Sequence, residues 1–263
     1  MRKLSASALA TYLKSPKQFY WRYVAQLEPV QLQVATFDHD KIFGIEWAAF
    51  VDRFYKGVTE KQNLDTTMAN WLEKTDGWVP EKARLRLTTA LNTLAPQYYQ
   101  LFSPDDGCRT AKLSEMRIEN ERFVGILDGL SDDGIVHEVK TTSRSPSLSD
   151  QLWRVQNSIQ VKLYCVMVKA KGHCIEFAWK DSPNQIFRGP TVFVSEKQRE
   201  TWERELNAIA DKIYSLGDNP DNYPCHPDGC CLVSKGMVAM CSYTVLCEQG
   251  QSEVSDLLYR KRA

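Results

Sequence analysis

The stretch 115–142, EMRIENERFVGILDGLSDDGIVHEVKTT, decides the fold. Apolar side chains alternate with polar ones across it, the period of a strand rather than of a helix. Two breaks cut it, Asn120-Glu121 and Asp132-Asp133-Gly134, both built from turn-forming residues. The reading is three strands, over 111–119, 122–130 and 134–141, joined by short polar turns. On the third, Glu138 and Lys140 are two residues apart, so both side chains leave one face. Asp128 ends the preceding strand between Gly125 and Gly129. If the last two strands form a hairpin through 131–134, Asp128 and Glu138 come together.

Two adjacent carboxylates repel unless a cation lies between them. Hard oxygen ligands with retained water suit magnesium or manganese. Beside such a cation, Lys140 could orient or deprotonate an attacking water, or stabilise charge on a phosphate. The competing reading is a hairpin with charged residues on its solvent face, because acid-x-Lys on a strand is a common pattern.

Outward from this centre the pattern is helical. Residues 5–24 read as a helix capped by Ser5 or Ser7, broken at Pro16 and resumed as a second short helix. Residues 40–56 carry Ile42, Phe43, Trp47, Phe50, Val51, Phe54 and Tyr55 on one broad face. Residues 66–74 and 80–102 are also helical in pattern. After the three strands come a helix over about 150–169, a strand pair at 173–180 and 186–194, and a long helix at 195–215. The order describes one α/β domain: a helical elaboration (1–105), a mixed β-sheet core flanked by helices (106–216) and a Cys-rich C-terminal segment (217–263).

The chain has 263 residues, 43% of them hydrophobic, enough for a sizeable core. Its formal net charge is zero, so overall charge argues for no nucleic-acid partner. The distribution says more: residues 1–24 hold Arg2, Lys3, Lys14, Lys17 and Arg22 with no acid, and the chain closes on Arg260, Lys261 and Arg262. Phe19, Tyr20, Trp21 and Tyr23 interleave with these bases; most of the aromatics read as core, leaving Lys17 and Arg22 as the DNA-contact candidates. No run is long and apolar enough for a membrane span or a signal peptide, which makes a cytoplasmic protein the expectation. Of eight cysteines, five (Cys225, Cys230, Cys231, Cys241 and Cys247) crowd into the tail. In a reducing compartment such clustering suggests a metal site over disulfides.

Three motifs then carry a family resemblance. Gly125-Ile126-Leu127-Asp128, Glu138-Val139-Lys140 and Gln160-Val161-Lys162-Leu163-Tyr164 resemble, in order and spacing, the G-x-x-D, E-x-K and Q-x-x-x-Y motifs of RecB-type PD-(D/E)XK nucleases. Ser15-Pro16-Lys17-Gln18-Phe19-Tyr20 is similar to that family's N-terminal Cys-Pro-x-x-Phe-x-Tyr element, and Phe43-Gly44 to the element that follows. Cys241 through Cys247 resembles the closing C-x-x-x-x-x-C of members with an iron–sulfur staple.

The resemblance implies a restriction-endonuclease-like fold and a metal-dependent DNA exonuclease of recombination or repair, like the phage and CRISPR-associated RecB-like enzymes. It makes Asp128 and Glu138 the metal ligands with the Val139 carbonyl, Lys140 the catalytic lysine, and Gln160 and Tyr164 the helix face beside them. Gln156 extends that stripe. Glu115 is either a further metal ligand, direct or through water, or a surface strand residue. The resemblance also implies linear duplex or single-stranded DNA as substrate and a single-strand annealing protein as working partner. An endonuclease, and a catalytically weak DNA-binding module of the same fold, are the alternatives.

Two departures qualify the match. Many members place a metal-binding histidine in the helix after Phe-Gly, where this chain has Ala48; Glu46 nearby is a substitute or, more simply, an exposed helix residue. The N-terminal cluster cysteine is replaced by Ser15. Cys241 and Cys247, with Cys230 or Cys231 as a third and Cys225 as a fourth, would then supply a four-iron four-sulfur cluster or a tetrahedral zinc site, or remain reduced and empty.

Overall fold

The fold is that of a computed structural model, which describes residues 2–29, 39–77, 79–102, 116–143, 150–181, 184–224, 243, 246, 251 and 259–261. In chain order the elements are β1 (Leu4–Ser5), α1 (Ala6–Lys14), α2 (Pro16–Phe19), a π-helical turn (Tyr20–Val24), β2 (Leu27–Pro29), α3 (His39–Tyr55), α4 (Glu60–Thr75) and α5 (Glu81–Leu101). There follow β3 (Met116–Glu119), β4 (Phe123–Leu127), β5 (Gly129–Leu130), β6 (Ile135–Thr142), α6 (Asp150–Gln156) and α7 (Ile159–Met167). The chain continues through β7 (Gly172–Trp179), β8 (Gln185–Arg188), β9 (Val192–Phe193), α8 (Glu196–Leu216) and β10 (Tyr259–Lys261). Two compact units emerge, one of residues 1–35, 121–124 and 204–263, the other of 36–120 and 125–203.

The second unit holds a mixed sheet of order β5-β6-β7-β8, with β9 pairing β7 beyond the path. β6 runs antiparallel to β5 and parallel to β7, with Glu138 opposite Ile175 and Lys140 opposite Phe177. Alternation along β6 assigns its two faces. Val139 packs against the aromatic cluster of α3, α4 and α5, whereas Lys140 meets α7. The sheet therefore lies between helices on both faces. In that cluster Phe43, Trp47, Phe50 and Phe54 recur at helical spacing on α3, and Trp47 and Phe50 stack with ring centroids 4.9 Å apart.

The first unit joins the two ends of the described chain. β1 pairs in parallel with Phe123 and Val124 of β4. β2 pairs antiparallel with β10, supported by an ion pair between Arg260 and Glu28 at 2.8 Å and by the Tyr243 hydroxyl donating to the Leu27 carbonyl at 3.0 Å. Ser5 caps α1 by accepting from the Ala8 amide. Phe19, Tyr20 and Trp21 are buried, as the sequence suggested.

Several boundaries differ from the sequence reading. The strand expected at 122–130 is interrupted at Asp128, and 111–115 lies outside the described residues. The single helix expected at 150–169 is two, because Ser158 caps a new helix by accepting from the Val161 amide at 3.3 Å. Gln156 thus belongs to α6 and does not extend the Gln160–Tyr164 stripe of α7. The expected strand at 186–194 is two short strands, β8 and β9.

Candidate active site

The site is assembled where β4, β5 and β6 meet α7. The turn closing β5 onto β6 is set by Gly134, whose φ of 85° is open to glycine, and by the Ser131 hydroxyl accepting from the Ile135 amide at 3.1 Å. The hairpin register pairs Gly129 with His137 and Leu130 with Val136. One step further along, Asp128 stands opposite Glu138. Asp128 leaves the strand ladder at this point, and its Oδ2 accepts from the Val139 amide at 2.8 Å. That bond fixes the carboxylate over β6.

Glu138 is fully buried, and its Oε1 is in close contact with Lys140 Nζ. Its Oε2 is buried without a hydrogen-bond partner. Burial, followed by the charge of Asp128, pushes the Glu138 carboxyl up to about 8, against the opposing pull of Lys140. Burial works to lower Lys140, but the charge of Glu138 and its hydrogen bond outweigh that and raise it. Whenever Glu138 is ionised, Lys140 is therefore held as an ammonium. This favours charge stabilisation over proton abstraction among the roles open to it.

Lys140 Nζ also donates to Gln160 Oε1 at 3.1 Å, and Gln160 Nε2 donates to the Tyr164 hydroxyl at 3.4 Å. The Ile126 amide donates to that same hydroxyl. Burial first, then the charge of Glu138, hold the Tyr164 phenol above its usual pKa and keep it neutral. The Tyr164 ring occupies the space over Gly125, where a Cβ would lie 2.4 Å from Cε1. The glycine of the first motif and the tyrosine of the third are thus two sides of one contact. Asp128, Glu138, Lys140, Gln160 and Tyr164 form one connected group.

The fit to a divalent cation rests on Glu138. A buried carboxylate oxygen without a partner, beside a second carboxylate, is a costly arrangement that a hard cation resolves. Among the described residues no three His, Cys, Asp or Glu side chains gather in a metal-binding group. A cation here would be held by Asp128, Glu138, the Val139 carbonyl and water. Glu115 lies outside the described residues, as do Cys225, Cys230, Cys231, Cys241 and Cys247.

Glu46 is not the exposed residue the sequence suggested. It is 1% exposed and ion-paired with Lys74 of α4. Two residues earlier, Gly44 faces Thr141 of β6, its Cβ position 3.3 Å from the hydroxyl. Two residues are about 200° around a helix, so Glu46 points away from the strand that carries Glu138. Ser15 is buried, and its hydroxyl accepts from the Gln18 amide at 3.2 Å, capping α2. The serine in the cluster-cysteine position thus does helix-capping work. Lys17 donates to the Pro220 carbonyl at 2.7 Å, which directs it toward the protein backbone. The sequence reading did not foresee the Val139 amide as the anchor of Asp128; no side-chain pattern signals a backbone donor.

Two acids and a lysine thus meet at a hairpin of a mixed α/β fold. Residues 3–248 match the PD-(D/E)XK nuclease superfamily, and the chain belongs to it. No curated protein matches the chain significantly. Among solved structures it is similar to a Eubacterium rectale protein with a provisional exonuclease assignment, at 9% identity and TM-score 0.49 over 95% of this chain and 94% of that one. It is also similar to a phage-related exonuclease from Haemophilus somnus, at 16% identity and TM-score 0.39 over 81% and 93%. No helix among the described residues is long and apolar enough to cross a membrane.

Proposed function

We propose that the protein is a divalent-metal-dependent deoxyribonuclease that hydrolyses phosphodiester bonds from the ends of linear DNA, in recombination or repair. The observation that supports this best is that Asp128 is anchored on the strand of Glu138 and Lys140, with one Glu138 oxygen against Lys140 and the other buried without a hydrogen-bond partner. Asp128 and Glu138, with the Val139 carbonyl, would hold Mg2+ or Mn2+. When bound there, such a cation supplies Lewis acidity to a phosphate oxygen and a more acidic water. Lys140, kept protonated by Glu138, neutralises charge developing on the phosphate. Gln160 fixes the ammonium from the helix side, and Tyr164 fixes Gln160 while closing the space over Gly125. The hydrogen bond from the Val139 amide holds the Asp128 carboxylate in place as a ligand.

A nuclease assay with Mg2+ or Mn2+ on linear duplex and single-stranded DNA tests this reading, with Lys140→Ala as the control. Loss of one preorganised charge-stabilising group lowers turnover by about 100-fold or more. Digestion that survives the substitution unchanged rejects the assignment. A covalently closed circle distinguishes the endonuclease alternative, since only that activity cuts it. A single-strand annealing protein is the working partner this reading suggests, tested by co-purification.

A further inference from the structure

We infer that Trp153 is a stacking platform for an unpaired base of the substrate, and that it gives the site a preference for DNA with single-stranded character. This rests on the nuclease reading and adds a substrate feature to it. Trp153 is 65% exposed, on a helix whose orientation is fixed by its neighbour. Leu152 packs so tightly on the backbone at Gly189 that a Cβ there would lie 2.6 Å from Leu152 Cδ1. With Leu152 held against the sheet, the next residue turns about 100° around the helix and into solvent. The helix end is closed by the Asn157 amide and side chain, which donate to the Trp153 carbonyl at 3.0 and 2.8 Å.

Three observations select a nucleic-acid base as the occupant. The first is charge: beyond Asp150 at the start of its helix, the sequence as far as Tyr164 holds Arg154 and Lys162 and no acid, in a chain whose net charge is zero. Arg154, adjacent to the indole, is itself exposed. The second is position: Trp153 precedes Gln160, the partner of Lys140, by seven residues, and helix rise and chain extension limit the separation of their Cα atoms to about 17 Å. That is a reach of a few nucleotides. The third is a second exposed apolar side chain beside the same machinery, Ile126 at 57%, two residues before Asp128 and bonded through its amide to Tyr164. An exposed indole next to a guanidinium offers a π-face to any base and a cation to its phosphate.

The test is binding of a fluorescein-labelled oligothymidylate in chelator, where no cleavage occurs, followed by anisotropy. Trp153→Ala weakens binding about ten-fold, the range of one lost base–aromatic stack. Trp153→Phe retains most of the affinity. Leu85→Ala, which removes an equally exposed side chain from α5, leaves binding unchanged. Replacing the thymidines by abasic nucleotides abolishes the difference between wild type and Trp153→Ala. Equal binding by Trp153→Ala, an equal loss on the abasic probe, or no oligothymidylate binding by wild type overturns the inference. A wild type that binds but never cleaves with Mg2+ or Mn2+ refutes the nuclease reading instead, and the two failures are therefore told apart.

Discussion

Replacing Glu138 by glutamine separates what the site does for function from what it does to stability. In the unfolded chain the Glu138 carboxyl ionises near 4.5, and in the folded protein near 8. Between those values the folded state holds a proton that the unfolded state has released, so the metal-free protein loses stability as pH rises. At about 1.4 kcal/mol per pH unit, the gap sets an upper bound on the order of 5 kcal/mol. Water entering the opened site reduces this to a few kcal/mol, roughly 5–10 °C in Tm for a chain of this size. Glu138→Gln preserves shape and a carbonyl oxygen for Lys140 but cannot ionise. Its Tm in chelator is therefore flatter than that of wild type from pH 5 to 8 and higher at the alkaline end, while its cleavage is abolished. His173, which burial lowers to about 4, gives an opposite slope below pH 6.5. That slope is common to both proteins and cancels in the difference. Adding Mg2+ raises the wild-type Tm more at pH 8 than at pH 5.5, because the cation takes the ionised carboxylate, and does little for the variant. Thermal melts across this pH range decide the matter: parallel curves for the two metal-free proteins would refute the reasoning.

Other substitutions address neighbouring contacts. Gly125→Ala drives a methyl into the Tyr164 ring and destabilises by about 1–3 kcal/mol, with cleavage falling as Gln160 shifts from Lys140; an unchanged denaturation midpoint contradicts the packing argument. Glu46→Gln leaves metal-activated cleavage within about two-fold, since its partner is Lys74; a loss comparable to Lys140→Ala would place Glu46 in the metal site. Tyr98→Phe removes the hydroxyl that donates to buried Glu176 at 2.9 Å and costs about 1–3 kcal/mol in urea denaturation, with catalysis intact. Metal analysis and visible absorption of anaerobically purified protein check the tail cysteines: iron with equal sulfide supports a cluster, zinc without colour a tetrahedral site, and the absence of both overturns either.

What could be read from sequence was whatever local spacing encodes. The aromatic stripe of α3, the 2-residue period of β6 and the Asp132-Asp133-Gly134 turn fixed the hairpin, and through its register the meeting of Asp128 with Glu138. Features set by distant partners were not legible. Glu46 looked like any exposed helix acid because its burial depends on Lys74, 28 residues later in the chain. The interruption at Asp128 depends on a backbone amide of the neighbouring strand, and Ser158 divided a helix whose apolar pattern ran on without a break. Glu115 and the tail cysteines stay at the level of motif and resemblance.

The strand pairing of Leu27–Pro29 with Tyr259–Lys261 has a consequence for biosynthesis. All the strands and helices that carry Asp128, Glu138, Lys140, Gln160 and Tyr164 precede residue 204, so they leave the ribosome while the partner of β2 is still unsynthesised. Folding units generally form as they are completed. The group of Asp128, Glu138 and Lys140 is therefore assembled first, and the pairing of β2 with β10 is a late event.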